Sequence, residues 1–456
     1  MILATIFVAF AFFEPDPRRN AKKKLAMTSR ASRIYGVSLA LAFVAAGAVA
    51  FIQPSPWGWI AAVQAIPFLL VVADTALTPI ERAIQRRYWG EARAKLDTLK
   101  PTIIGVTGSF GKTSVKHILG HALDLTGSAL ITPGSVNTAM GISRVVRESL
   151  RPDHRYFVVE MGAYGEGSIA KLCALAPPDI AILTAIGEAH YERFRSLDAV
   201  VRAKFEIATA VMRHPQGRII VHQSVLDVPL AAKLVAENRD RFIVCGRGDV
   251  DLNIRNSQLT KNGINLDVDW KGQSYHLEAP LFGMQHAENL ALCFAAGMCL
   301  GLSPEQLVIA FRNVPQIAHR LEVKREASGA IVIDDAYNSN PKGFASAIEV
   351  TSLLAAPEAR RIVVTPGMAE LGLKHDEAHR ALGMKTAEHA DLAIVIGSDR
   401  IPTFLEGLRE VKEDMDIMTM SSFADARAWL NANAKPGDVV LIENDLPDLY
   451  ESSLNL

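Results

Sequence analysis

The chain has 456 residues, 49% of them apolar, and a formal net charge of −1. That length exceeds one hydrophobic core, so two or three domains are expected, and the balanced charge argues against a nucleic-acid partner. The four cysteines, Cys173, Cys245, Cys293 and Cys299, form no CxxC pair and read as buried thiols of a reducing compartment, not as metal ligands.

The first hundred residues differ from the rest. Residues 1–13 are apolar but short, without a basic start or a small-residue cleavage site. They read as part of a further span and not as a signal peptide. Gly36–Gln53 and Trp57–Leu77 are apolar runs, the second broken only by Asp74. Each is near the ~20 residues that cross a bilayer as a helix. Pro54-Ser55-Pro56 turns the chain between them, so a transmembrane hairpin is expected over a buried soluble one. Arg18, Arg19, Lys22, Lys23, Lys24, Arg30 and Arg33 precede the pair, Arg82, Arg86 and Arg87 follow it, and the turn is uncharged. Both flanks should then face the cytoplasm. Residues 1–78 are assigned to this anchor, and 79–100 to a charged helix at the membrane surface.

Residues 105–114, Gly-Val-Thr-Gly-Ser-Phe-Gly-Lys-Thr-Ser, organise the remainder of the chain. An apolar strand precedes them and Val115-Lys-His-Ile-Leu, with helical spacing, comes next. Strand, glycine loop and helix are what a phosphate cradle needs. Gly108, Ser109 and Gly111 would bring backbone N–H groups to an anion. Lys112 would place a cation at the outer phosphates, and Thr113 or Ser114 would hold Mg²⁺. Val106 stands where the strict P-loop has its first glycine, so the match is to a shorter variant.

Apolar strands then alternate with helical stretches, at Ala129–Thr132, Tyr156–Met161, Asp179–Thr184, Arg218–His222 and Arg241–Cys245. Such alternation predicts a parallel sheet covered by helices, with ligands at the carboxyl ends of its strands. Glu160 closes one strand, His190 follows another, and Lys204 lies in a later helix. Singly they read as a cap, a loop and a solvated face; together, behind a phosphate loop, Glu160 and His190 suggest a Mg²⁺ site. Residues 251–278 alternate apolar and polar around Lys261-Asn-Gly, which predicts a small antiparallel sheet. Further strands at Arg361–Thr365, Leu392–Ile396 and Asp438–Ile442 alternate with helices and predict a second α/β sheet. His375 and His379 are four apart, but Asp376 and Glu377 beside them favour a solvated helix start over a metal site.

The order of the loop TGSFGKTS, Thr132-Pro-Gly-Ser-Val-Asn-Thr, Glu160-Met-Gly-Ala, Ala189-His190, Arg202-Ala-Lys204 and Asp334-Asp-Ala-Tyr-Asn-Ser-Asn-Pro341 resembles the Mur ligases, ATP-dependent amide-forming enzymes of peptidoglycan synthesis. The likeness covers about residues 101–445 and is nearest to the member that adds D-alanyl-D-alanine. It implies a central ATP-binding domain over 101–314 and a Rossmann-like α/β domain over 315–456. It implies two Mg²⁺ ions held by Thr113, Glu160, His190 and a carbamylated Lys204. Arg320 would reach the ATP phosphates, Asn289 and Asp335 would position the nucleotide, and Asn137, Thr138 and Asn338 would touch substrate. Substrates would be a carboxylate-bearing envelope precursor and an amine such as D-alanyl-D-alanine. The site would lie on the cytoplasmic face of a bacterial inner membrane.

Two places depart from the pattern. Gln285-His286 replaces a His-Asn pair near the adenine. Glu443-Asn-Asp replaces a basic loop that helps hold acidic substrates. The family's UDP-binding domain is expected to be replaced by the anchor, so the carboxylate substrate is expected to be membrane-linked. Alternative readings are a ligase building an amino-acid polymer such as poly-γ-glutamate, a non-catalytic nucleotide-binding scaffold, and a P-loop ATPase acting on the membrane.

Overall fold

The computed structural model describes residues 27–52, 55–187, 194, 196–337, 339–369 and 371–446. The expectations for residues 1–13, His190 and Asn338 lie outside the described residues. Two compact units divide at Gly90, Met1–Gly90 and Glu91–Leu456.

The described part of the first unit is helical. Helix α1 spans Ser29–Ile52, α2 Pro56–Gln64, and α3 Ile66–Leu99. α1 is long and apolar enough to cross a membrane, and α2 with α3 qualifies as a second, bent by 47°. Phe43, Val44, Phe51, Trp57 and Phe68 stand exposed on these helices. Asp74, the acid inside the second apolar run, pairs with Arg30 at 2.8 Å. Arg33 pairs with the buried Glu81 at 2.7 Å. One expectation is corrected. The later part of the second apolar run, from Ile66, and the charged stretch that follows are one helix, because α3 carries through Pro79 to Leu99. Proline there removes one backbone donor, while the hydroxyls of Thr75 and Thr78 bond carbonyls one turn back.

The second unit holds two sheets. The first has nine strands in the order β2-β3-β1-β4-β5-β6-β7-β8-β9. They are β1 Thr102–Thr107, β2 Ala129–Ile131, β3 Tyr156–Glu160, β4 Ile180–Leu183, β5 Arg218–His222, β6 Phe242–Gly246, β7 Leu252–Thr260, β8 Gly263–Trp270 and β9 Gln273–Ala279. The first six are parallel. β3 and β4 are buried at every residue, as expected where helices cover both faces. Those helices are α4 Lys112–Asp124, α5 Ala139–Ser149, α6 Ser168–Leu175, α7 Leu197–Val211, α8 Pro229–Glu237, α9 Gln285–Cys299 and α10 Pro304–Arg312. The expected small antiparallel sheet is present as β7-β8-β9 and joins the parallel strands. β7 pairs with β6 through Cys245 and Leu252, and the meander β7-β8-β9 extends the main sheet. The reason is burial: Ile254, Leu266, Val268 and Leu277 share one core with α4 and α9.

The second sheet runs β10-β11-β15-β12-β13-β14. Its strands are β10 Glu322–Arg325, β11 Ile331–Asp335, β12 Arg361–Thr365, β13 Leu392–Ile396, β14 Asp416–Met420 and β15 Val439–Glu443. β10 is antiparallel to β11; the rest are parallel. Helices α11 Pro341–Leu354, α12 His375–His389, α13 Pro402–Val411 and α14 Phe423–Asn433 lie between the strands in sequence. Strands β10 and β14 go beyond the sequence expectations, because their half-buried, charged sequences lack an apolar run.

His379 corrects another expectation. It is fully buried. Its Nδ1 bonds the His375 carbonyl at 2.7 Å, and its Nε2 accepts the Met368 N–H at 2.9 Å. An accepting Nε2 requires the neutral ring, and burial lowers its pKa to about 4. The imidazole is a strut for the turn after β12, not part of a solvated helix start.

Candidate active site

The loop between β1 and α4 has the shape its glycines dictate. Gly108 has φ 150°, and a Cβ there would lie 1.9 Å from the Thr184 hydroxyl. Gly111 has φ 80°, and its Cβ would meet Asn289 Oδ1 at 2.8 Å. Neither position admits a side chain without displacement. The segment after β4 fixes the loop from outside. Ser109 N–H donates to the Ala185 carbonyl at 2.7 Å, Ser109 Oγ to the Gly187 carbonyl at 3.0 Å, and Thr184 Oγ1 to the Phe110 carbonyl. α4 begins at Lys112 with no side-chain cap among the described residues. Its first-turn N–H groups and positive helix end are therefore suited to an anion. Lys112 Nζ reaches back to the carbonyls of Gly108 and Ser109, at 2.8 and 3.2 Å, and burial lowers its pKa.

Glu160 ends β3 beside this helix, buried at 2% exposure. Its Oε2 accepts from Thr113 Oγ1 at 3.0 Å and Lys116 Nζ at 3.1 Å; its Oε1 accepts from Asn137 Nδ2 at 3.3 Å. Lys116 is fully buried and also donates to the Gly134 carbonyl. The sequence motifs do not single out this lysine. The available signal is its position, four residues after Lys112 on the same face of α4. Lys204, on α7, lines one cavity with Gly108, Ser109, Lys112, Asn137 and Tyr164. Burial, and then the charge of Lys112, holds its ammonium well below the usual lysine range. Thr113, Glu160, Asn137 and Lys204 thus converge at the loop. A hydroxyl and a carboxylate beside a phosphate cradle are a fitting donor set for Mg²⁺.

The other residues singled out lie at varied distances from this centre. Thr138 caps α5, its hydroxyl accepting the Gly141 N–H at 3.4 Å. Ser114 is buried inside the first turn of α4. Asn289 is buried on α9 against Gly111. Gln285 accepts a hydrogen bond from Ser346 on α11 at 3.0 Å, so one departing residue ties the two sheets together. The other, His286, is buried with Nδ1 unpartnered among the described residues. Burial, and then Arg320, pushes its pKa down to about 4.

The second sheet contributes its carboxyl edge. Asp335 and Glu443 end β11 and β15 side by side in register. Burial raises Asp335 to about 6, against the pull of Arg320. Glu443 is fully buried; it bonds the Ser339 hydroxyl, and its Oε2 has no partner among the described residues. Burial, and then Asp335, holds it well above the carboxylate range. Arg320, just before β10, stacks on the Tyr337 ring with its guanidinium carbon 4.4 Å from the centroid. Tyr337 in turn bonds Ser135 from the loop after β2.

A P-loop on one α/β sheet, a carboxylate and lysines around it, and an arginine from a second sheet define a phosphate-transferring nucleotide enzyme. Residues 106–297 match the Mur ligase middle domain and residues 319–443 match the Mur ligase glutamate ligase domain. The chain belongs to the Mur ligase family, and it is an ATP-dependent ligase of the Mur type. A UDP-N-acetylmuramoyl-tripeptide–D-alanyl-D-alanine ligase of Mycobacterium leprae is 28% identical, over 94% of this chain and 89% of its own. The Escherichia coli ligase of that name is 28% identical over 73% of this chain and 69% of its own. A Thermotoga maritima MurF ligase solved with ADP is 26% identical, with a TM-score of 0.65 over 79% of this chain and 80% of that one. A MurF structure from Acinetobacter baumannii gives a TM-score of 0.68 at 25% identity, over 79% and 77% of the two chains.

Proposed function

We propose that this ligase joins a carboxylate of a cell-envelope peptide precursor to an amine of the D-alanyl-D-alanine type. The observation that carries the reading is the placement of Arg320, from the second sheet's side, where its charge meets Lys112 and Glu160 of the first. A carboxylate oxygen attacks the γ-phosphorus of ATP, ADP leaves, and an acyl phosphate forms. The amine then adds to the acyl carbon, loses a proton, and expels phosphate. Lys112 and Arg320 neutralise phosphate charge, and the 108–111 backbone orients it. Thr113 and Glu160 would hold Mg²⁺, which supplies further charge neutralisation when bound. A buried Lys204, its ammonium disfavoured by burial and by Lys112, is suited to capture CO₂: its deprotonated amine nitrogen bonds the carbon and releases a proton, leaving a carbamate anion that would complete the metal's ligands. The lowered pKa of Lys204 supports this.

We place the enzyme on the cytoplasmic face of the membrane, anchored by α1 and the α2–α3 pair. Their length, composition and exposed aromatic surface support an anchor. A second reading rests on Glu443. The acidic stretch Glu443-Asn-Asp, where the family has a basic loop, lacks a cation to hold a free dipeptide carboxylate and suits another acceptor, such as the growing end of a polymer.

Depletion of the protein, followed by mass spectrometry of envelope precursors in separate aqueous and lipid extracts, tests these readings. Accumulation of a muramoyl tripeptide in the aqueous pool is expected for a soluble carboxylate substrate. Accumulation in the lipid pool assigns a membrane-linked one. No change in either pool rejects the envelope reading and favours the polymer.

A further inference from the structure

We propose that Tyr337 is a positioning residue that aims Arg320 at the transferred phosphoryl group, carrying the guanidinium on its ring face and mooring the ring to Ser135. The inference rests on the reading of Arg320 as the arginine that meets phosphate.

Three observations converge on it. The first is the hold itself. Cation–π stacking at 4.4 Å orients a guanidinium without using its N–H donors. No described residue bonds them, so they remain for phosphate oxygens. An ion pair with the nearby Asp335 would occupy one or two of them and offset the charge. Instead, Asp335 Oδ1 accepts the Leu321 N–H at 3.2 Å. Among the described residues, no hydrogen bond or ion pair joins Asp335 to Arg320.

The second observation is the backbone. His319 and Leu321, on either side of Arg320, have φ 58° and 52°. Two left-handed non-glycine residues flanking one position are strained, and here the surroundings impose them. Leu321 is buried at 1% exposure with its N–H on Asp335, and His319 bonds Asp334 through Nδ1 at 2.9 Å. The chain is bent on both sides of the one residue that stacks on Tyr337.

The third is the mooring. Tyr337 lies in the turn after β11 of the second sheet, yet its hydroxyl bonds Ser135 in the loop after β2 of the first. The neighbouring Gly134 carbonyl accepts from Lys116, which also bonds Glu160. An unbroken run of contacts, Arg320–Tyr337–Ser135–Gly134–Lys116–Glu160, therefore sets the arginine relative to the phosphate loop. Tyr337 is half exposed, so its ring is not there to fill a core.

The test uses the full chain in detergent and four variants: R320A, Y337L, Y337F and the double R320A/Y337L. It reads kcat, the KM for ATP, and calorimetric affinities for ADP and the non-hydrolysable AMP-PNP. Loss of the ring contact, worth ~1–2 kcal/mol, converts to a fall of about tenfold in kcat for Y337L, with the KM for ATP nearly unchanged. Y337F keeps the ring, loses the mooring, and should fall by about threefold. AMP-PNP should weaken in Y337L while ADP does not, since only the former carries the outer phosphate. The double variant should be no slower than R320A, because Tyr337 acts through Arg320. Losses that multiply in the double variant, or equal weakening of ADP and AMP-PNP, overturn the role of Tyr337 alone. Wild-type kcat in R320A overturns the reading of the arginine itself.

Discussion

At the scale of single residues, the site is defined by what each side chain can do where it sits. Gly108 is fixed both by its backbone angle and by the Thr184 hydroxyl that a Cβ would strike. Gly108→Ala should therefore weaken ADP binding at least a hundredfold, as read by calorimetry. A variant that binds ADP normally would show that the loop can reshape. Lys116 and Glu160 form an ion pair with side-chain exposures of 0% and 2%. Removing one partner of such a pair leaves an uncompensated buried charge, at ~3–5 kcal/mol. Lys116→Met should lower the urea midpoint accordingly, while Lys116→Arg should lose less. Motif spacing makes Lys112 legible. Lys116 is not, because an isolated lysine on a helix carries no sign of whether its face is wet or dry. The same holds for Lys204, whose pKa is lowered only because folding removes it from water.

At the scale of elements, strands with continuous apolar runs are legible almost to the residue, as at Arg218–His222, Arg361–Thr365 and Leu392–Ile396. β10 and β14 are not, since edge strands need little apolar sequence. α9 is buried along most of its length and shares one core with α4 and the meander strands of the main sheet. Its Phe294 is fully buried and meets the Tyr275 ring at 5.3 Å. Phe294→Ala should cost ~3–5 kcal/mol, seen as a fall in the denaturant midpoint. α9 and α12 also carry histidines held neutral by burial, His286 and His379, each with a pKa of about 4 against an ordinary 6.5. Between those values the unfolded chain binds the extra proton and the folded chain does not. Their contribution to stability is thus full above pH 6.5 and is lost as pH falls from 6.5 towards 4, by about 2 kcal/mol per histidine at pH 5. Urea melts at pH 7 and pH 5 should show this loss. His379→Gln should shrink the difference between the two melts; an unchanged difference would remove the histidine from the account.

At the scale of the whole molecule, the division at Gly90 separates a helical unit from the ligase. A chain beginning at Glu91 retains both sheets and their cores. It is expected to stay in the supernatant on ultracentrifugation, bind ADP as the full chain does, and lose turnover on any lipid-linked carboxylate. Sedimentation of the shortened chain with membranes would place the anchor elsewhere. Neutralising Arg82, Arg86 and Arg87 together in the full chain should weaken its preference for anionic vesicles, measured by flotation. The tie between the sheets, through Gln285–Ser346 and Tyr337–Ser135, involves residues more than sixty apart in sequence and is invisible at that level.

The sequence by itself determined the class of fold, the phosphate loop, the apolar helices at the front and the family of the chain. Each of these is written in local order: alternation of strand and helix, glycines at fixed spacing, runs of one polarity. Only the tertiary structure decided that Lys116 counters Glu160, that Lys204 is dry, that His379 is a strut, and that Arg320 lies on Tyr337. Those facts depend on burial and on pairs brought together from distant positions. Desolvation is a property of the packed surroundings, and no stretch of chain carries it alone.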